Sequence, residues 1–179
     1  MKIHVDQIKD KVIDLTATEE VTQFPILGEL QESGASVFID PLRIHLTVAR
    51  EYDHIRAHGQ VSTALRLGCS RCLTEFTHDV DASFTAIYMP KVAGVEQDEE
   101  VELSEEELIS VIYEGDEIEF DQEIAEQVVA EIPIKPLCRE DCRGLCPMCG
   151  ADRNETVCEC RTDQFTSKFG ALKNFKPDK

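Results

Sequence analysis

The residues in this chain best placed to do chemistry are cysteines. Cys146-Pro-Met-Cys149-Gly150 sets two thiols on one tight turn, and Cys158-Glu-Cys160 follows after a short loop. Two residues between cysteines let a single turn aim both sulfurs at one ion, and the glycine behind the second thiol permits the backbone that turn needs. Side chains two apart on an extended strand point the same way, so Cys158 and Cys160 complete the set. Four thiolates around one ion predict a closed tetrahedral zinc site. The competing readings are an iron–sulfur cluster on the same ligands and free or disulfide-linked cysteines. Eight cysteines in a chain without a secretory pattern favour metal. The loop is too short to hold a core of its own, so without metal it is expected to be unfolded.

Cys69-Ser-Arg-Cys72 falls between two strand patterns, as a knuckle at a hairpin tip, and Cys138 and Cys142 follow a helix. Together these four make a second four-thiolate site that clamps the hairpin tip to the start of the tail. The alternative is a site shared differently, with Cys138 or Cys142 left over. His58 and His78 lie in strand patterns and read as ordinary sheet histidines. A thiol-disulfide oxidoreductase using Cys69 and Cys72 is a competing function. Active dithiols, however, usually sit at a helix N-terminus, and here a strand pattern resumes at Phe76. There is no serine–histidine–acid set and no phosphate-binding glycine loop. A closed all-cysteine zinc site leaves no position for water, so its role is structural. The expectation is two structural Zn2+ ions, no small-molecule substrate and no enzyme.

These ligands need elements to position them. Leu42, Ile44, Leu46 and Val48 alternate with polar residues, as in a half-buried strand. Ile55, Ala57, Gly59, Val61, Thr63, Leu65 and Leu67 repeat the pattern, and so do Phe76, Val80, Ala82, Phe84 and Tyr88. Ile13 to Ala17 suits a short strand. Residues 90–100 form an acidic loop, and Ser104 to Glu107 matches a capping box, but Ile109, Val111 and Tyr113 then alternate, so the helix there is one turn or absent. Glu114 to Glu117 reads as a hairpin-like turn before strand Ile118 to Phe120. Asp121 is a good N-cap for a helix over about 121–132 with a stripe of Ile124, Val128, Val129 and Ile132, stopped by Pro133 and Pro136. The class is α+β: a curled, barrel-like antiparallel meander with one packed helix and a zinc-ribbon-like tail. The expected division is a β-rich domain over 1–134 and a cysteine-rich tail over 135–179.

The net charge of −18 disfavours nucleic acid as a partner for the whole surface and suits a basic protein. No Lys or Arg occurs between Val92 and Ile134. A zinc-ribbon regulator of transcription is a third reading, but there is no basic recognition helix to support it. The start, Met1-Lys-Ile-His-Val-Asp, lacks a signal pattern, and no apolar run approaches the roughly 18 residues of a membrane span. The chain is expected to be cytoplasmic, with no membrane contact. Near the end, Phe165, Phe169, Leu172 and Phe175 recur at helical spacing among Lys168, Lys173 and Lys176. That stripe suits a helix docked on its own core, or a basic aromatic helix offered to a partner or to RNA, for which Phe165, Lys168, Phe169 and Lys173 are the candidates.

Leu67-Gly-Cys-Ser-Arg-Cys72-Leu, the turn Tyr113 to Ile118, Ile132-Pro-Ile-Lys-Pro-Leu-Cys138 and Asp141-Cys-Arg-Gly-Leu-Cys-Pro-Met-Cys-Gly150 appear in order. They resemble the bacterial YceD family over roughly residues 65–175. Members are linked to accumulation of the large-subunit ribosomal RNA, and their genes commonly sit beside that of a small zinc-binding protein of the large subunit. The resemblance implies a role in ribosome assembly and 23S rRNA accumulation and does not imply a reaction. With the charge pattern, it gives an acidic body that holds a basic ribosomal protein of the large subunit, while the tail fixes orientation or touches rRNA.

Overall fold

The structure is a computed structural model, and it describes residues 1–8, 11–34, 36–91 and 110–160. The class is α+β. Strands β1 (Lys2–His4), β2 (Ile13–Glu19), β3 (Val37–Phe38), β4 (Leu42–Glu51), β5 (His54–Gly68), β6 (Glu75–Pro90), β7 (Ser110–Tyr113) and β8 (Glu117–Glu119) are joined by helices α1 (Pro25–Glu32) and α2 (Asp121–Glu131). The main sheet runs β2-β4-β5-β6-β7, with β3 pairing β5 alongside, and β1 pairs β8 in a separate two-stranded sheet.

Period-two patterning becomes burial strand by strand. Leu42, Ile44, Leu46 and Val48 on β4 are buried, and so is the face from Ile55 to Leu67 on β5. Strands β5 and β6 form a long antiparallel hairpin in register from Ile55↔Tyr88 to Gly68↔Glu75. That register carries the chain out to a tip at residues 69–74. Phe84 faces Gly59 so closely that a Cβ there would lie 2.2 Å from the ring, so the glycine makes room for the aromatic.

Helix α2 covers the apolar face of the sheet with Ile124, Ala125 and Val128, and α1 adds Leu27. Each large apolar side chain removed from water there contributes about 1.5–3 kcal/mol. Phe120 packs edge-on to Tyr88, with ring centroids 5.2 Å apart.

Several expectations change. The sheet is open: among the described residues no register joins β2 to β7. The apolar face is covered by helices, so it has no need to close on itself. Strand β7 joins β6 parallel, which departs from an all-antiparallel meander. The connection between them is long enough for the crossover that a parallel pair requires. The turn at 114–117 is not a hairpin, because β7 pairs β6 while β8 pairs β1.

Asp121 is the first helical residue and Phe120 the N-cap. The Asp121 carboxylate is taken by the α-amine of Met1 instead, and Phe120 donates its N–H to the Met1 carbonyl at 3.0 Å. Val129, assigned to the apolar stripe, is 39% exposed. The stripe turns toward Ala125 because the sheet meets only one narrow arc of so short a helix. The helix stops as the prolines require, with Ile132 extended before Pro133. Helix α1 has no counterpart in the sequence reading. The acidic loop beyond Lys91 and the capping box at 104–107 lie outside the described residues.

Candidate metal centres

The hairpin tip is shaped by its own backbone. Cys69 N–H donates to the Thr74 carbonyl and Leu73 N–H to the Cys69 carbonyl, each at 2.9 Å. Leu73 takes the left-handed conformation, φ 63°, that closes the turn. Past α2, the chain returns to this tip. Ser70 N–H donates to the Pro136 carbonyl at 2.8 Å, and Leu145 N–H to the Arg71 carbonyl at 3.0 Å. The Arg71 guanidinium reaches the Cys142 carbonyl at 2.8 Å and that of Glu140 at 3.3 Å. These bonds lay residues 136–145 across the tip.

Two groups of sulfurs result. Cys69, Cys72, Cys138 and Cys142 form one, the hairpin cluster. Cys146, Cys149, Cys158 and Cys160 form the other, the loop cluster. Within each group all four sulfurs lie within 4.8 Å of one another. Cys69 and Cys142 approach to 3.8 Å and Cys72 and Cys138 to 3.6 Å. A tetrahedron with metal–sulfur bonds of about 2.3 Å has sulfurs about 3.8 Å apart, so either group could hold a metal ion. A disulfide needs about 2.05 Å, and all eight thiols are free.

The two clusters differ in setting. In the hairpin cluster Cys69, Cys72 and Cys142 are buried against Phe76, Leu137 and Leu145. In the loop cluster Cys149 and Cys160 are exposed and only Cys146 is buried. The loop turn is built as its spacing suggested. Gly150, at φ 75°, donates to the Cys146 carbonyl at 2.8 Å, and Cys146 N–H donates to the Ala151 carbonyl at 2.8 Å. A bridge between Leu145 and Asp152 closes the ribbon.

Electrostatics favour a thiolate at one cysteine in each cluster, Cys69 and Cys146. Burial opposes ionisation of Cys69, yet the backbone amides of Cys138, Arg71 and Cys72 bring its thiol down to about 6. Burial first, then the thiols of Cys72, Cys142 and Cys69, hold Cys138 up to about 12. In the loop cluster the amides of Cys149 and Met148 bring Cys146 down to about 6. The Cys149 thiol, then burial, raises Cys160 to about 12. Each cluster thus ionises one thiol readily and resists ionising the next until a cation arrives. A low thiol pKa also suits a redox cysteine, but Cys69 is 1% exposed and sits on a hairpin tip.

Several participants were not legible in the sequence. Arg71 was read only as a spacer. Asp152 and Asn154 form an Asx turn, with Asn154 N–H on the Asp152 carboxylate at 2.8 Å. That local cue is readable, but the reach of Asn154 to Cys142 is not. His58 is exposed and faces Thr85, away from both clusters. Phe165, Lys168, Phe169 and Lys173 lie outside the described residues. Among the described residues no helix is long and apolar enough to cross a membrane.

Comparison with known proteins gives a consistent picture. Residues 57–176 match the family described as large ribosomal RNA subunit accumulation protein YceD. A chloroplastic "Large ribosomal RNA subunit accumulation protein YCED homolog 1" of Arabidopsis thaliana is 24% identical over 158 residues, covering 76% of this chain and 49% of that protein. Its namesake in Zea mays is 26% identical over 156 residues, covering 75% of this chain and 53% of that one. An uncharacterized protein of Mycobacterium tuberculosis is 30% identical over 109 residues, 61% of this chain and 50% of that protein. The chain spans about half the length of these curated relatives. No solved structure matches. The family match takes in the hairpin, α2 and all eight cysteines, well over half of the sequence, and the chain therefore belongs to the YceD family of large ribosomal RNA subunit accumulation proteins.

Proposed function

We propose that this protein is a non-catalytic factor for assembly of the large ribosomal subunit, supporting 23S rRNA accumulation where ribosomes are built in the cytoplasm. Two structural Zn2+ ions hold its shape, one on Cys69, Cys72, Cys138 and Cys142, the other on Cys146, Cys149, Cys158 and Cys160. Residues 1–134 serve as the acidic body and 135–179 as the metal-held tail. The observation that carries this reading is the gathering of all eight cysteines into two closed fours, which leaves no spare dithiol and no open ligand position. When bound, the metal would offset part of the thiolate charge and tie the segments together. The chain supplies the amides that favour thiolates and the buried seat for Cys69 and Cys142.

The partner we assign is a basic ribosomal protein of the large subunit, with rRNA as a further contact. Support comes from the net charge of −18 and from the region over 110–134, which has no Lys or Arg and exposes Asp116, Glu126 and Glu131, while Glu114, Glu117 and Glu119 pair with Lys91, His4 and Lys2. A surplus of one sign steers an oppositely charged partner. Metal analysis of the purified, reduced protein is the first test: about two zinc ions per chain are expected, and Cys69→Ser and Cys146→Ser should each lose one. A salt-sensitive pull-down against purified large-subunit proteins and rRNA fragments is the second, with selective retention of a basic protein expected. Metal-free protein with both clusters intact, or equal weak retention of every bait, would refute the reading.

A further inference from the structure

Asn154 belongs to the loop between Cys149 and Cys158, yet its side chain touches the other cluster. Its Nδ2 donates to Cys142 Sγ at 3.4 Å and to the Asp152 carboxylate at 2.7 Å. Its Oδ1 accepts from Arg143 N–H at 2.8 Å and from the Arg139 guanidinium at 2.9 Å. Chemistry fixes this orientation: a carboxylate can only accept, so the nitrogen faces Asp152, and both arginine groups can only donate, so the oxygen faces them. The connecting residues 143–145 are held from both sides. Arg153 N–H donates to the Gly144 carbonyl at 3.0 Å, while Leu145 N–H bonds Arg71 in the hairpin tip.

We infer that Asn154 is a positioning residue that couples the two clusters, so that an ion seated in the loop cluster raises the affinity of the hairpin cluster. The inference rests on the reading of both clusters as metal sites. Tying the four loop sulfurs to one ion would further fix the loop that carries Asn154. Once tied, the loop delivers an N–H donor to Cys142 Sγ and an acceptor to the backbone between Cys142 and Cys146. Donors to ligating atoms orient them and tune the metal, and their loss typically costs about 10–100-fold in metal affinity. By thermodynamic reciprocity the hairpin ion strengthens the loop site by the same factor.

Zinc and Co2+ titrations of the full chain against a chromophoric chelator test this, with the thiolate bands of Co2+ reporting each tetrahedral site. In the native chain, emptying the loop cluster by Cys146→Ser is expected to weaken the hairpin cluster about 10–100-fold. In an Asn154→Ala background the same change should have little further effect. Asn154→Asp keeps the acceptor for Arg139 and Arg143 but replaces the donor with a carboxylate facing Cys142 and Asp152. It should weaken the hairpin cluster at least as much as alanine does. Far-UV circular dichroism of each variant confirms that the sheet persists. Two ions binding independently in every variant would overturn the coupling while leaving the metal sites intact. Absence of metal binding in the native chain would overturn the metal reading itself. Asn154→Asp behaving as native would assign the coupling to loop ordering alone and remove Asn154 from it.

Discussion

The hairpin cluster and the loop cluster each gather four thiols, but in different settings. The hairpin cluster joins residues 73 apart in sequence, Cys69 and Cys142, and buries them among apolar side chains. The loop cluster collects residues 146–160 and leaves Cys149 and Cys160 exposed. The first acts as a clamp between a rigid hairpin and a returning chain. The second stands in for a core, since so short a ribbon buries too little apolar surface to fold alone. A long-range clamp inherits order from the sheet it grips, whereas a local one must supply its own.

Chelation should separate them most sharply. Structural zinc carries on the order of 10 kcal/mol or more of folding free energy in small metal-dependent units. Removing metal should therefore release residues 135–160 to proteolysis, the loop over 146–160 first, while β4, β5 and β6 stay protected in hydrogen exchange. Thiol alkylation should then reach Cys149 and Cys160 before Cys69 and Cys142. Labelling in the opposite order would contradict the contrast.

Single ligand losses come next. Cys72→Ser should free the whole chain beyond α2 from the tip, with cleavage appearing near residues 135–145. Cys149→Ser should confine cleavage to the loop. Mass spectrometry of limited digests distinguishes the two, and identical fragment patterns would mean the clusters are one unit.

Acidification follows. Thiols held up, such as Cys138 and Cys160 near 12, keep their protons at neutral pH when no metal is bound, so metal entry expels them. Apparent affinity should fall with falling pH. The fall should steepen below about 6, where the depressed thiols Cys69 and Cys146 also take up protons. Affinity that did not change with pH would show that the thiolates are not the ligands.

Smaller effects probe the seam. Gly144 has φ 67°, and a Cβ there would lie 2.9 Å from the Arg71 carbonyl oxygen. Gly144→Ala should cost about 1–3 kcal/mol through backbone strain, read in the thermal unfolding of the metal-loaded protein. Arg71→Ala removes bonds to the carbonyls of Cys142 and Glu140. Arg71 is exposed, so the loss should be nearer about 0.5–1.5 kcal/mol. A larger loss for Arg71 than for Gly144 would move the critical contact from the backbone to the guanidinium.

Legibility followed sequence separation. The three long strands announced themselves, because alternation at Leu42 to Val48 and Ile55 to Leu67 is a local property that burial then uses. Gly150 announced its turn for the same reason. Helix α1, the parallel pairing of β7 with β6 and the β1–β8 pairing did not. Their residues answer to neighbours far along the chain, such as Ile3 opposite Ile118. Asp121 looks like a cap in isolation, but the Met1 amine competes for its carboxylate and Phe120 is needed in the core.

By itself the sequence determined which atoms can bind a soft cation and how closely Cys146, Cys149, Cys158 and Cys160 can gather, because a turn's reach is set by bond geometry over a few residues. It also determined the apolar face of each long strand, since side-chain alternation is intrinsic to extended backbone. Only the tertiary structure decided that the sheet stays open, that β7 joins β6 in parallel, and that Asn154 reaches Cys142. Those outcomes depend on which distant surfaces bury each other most completely, and that competition among contacts has no signature in local spacing.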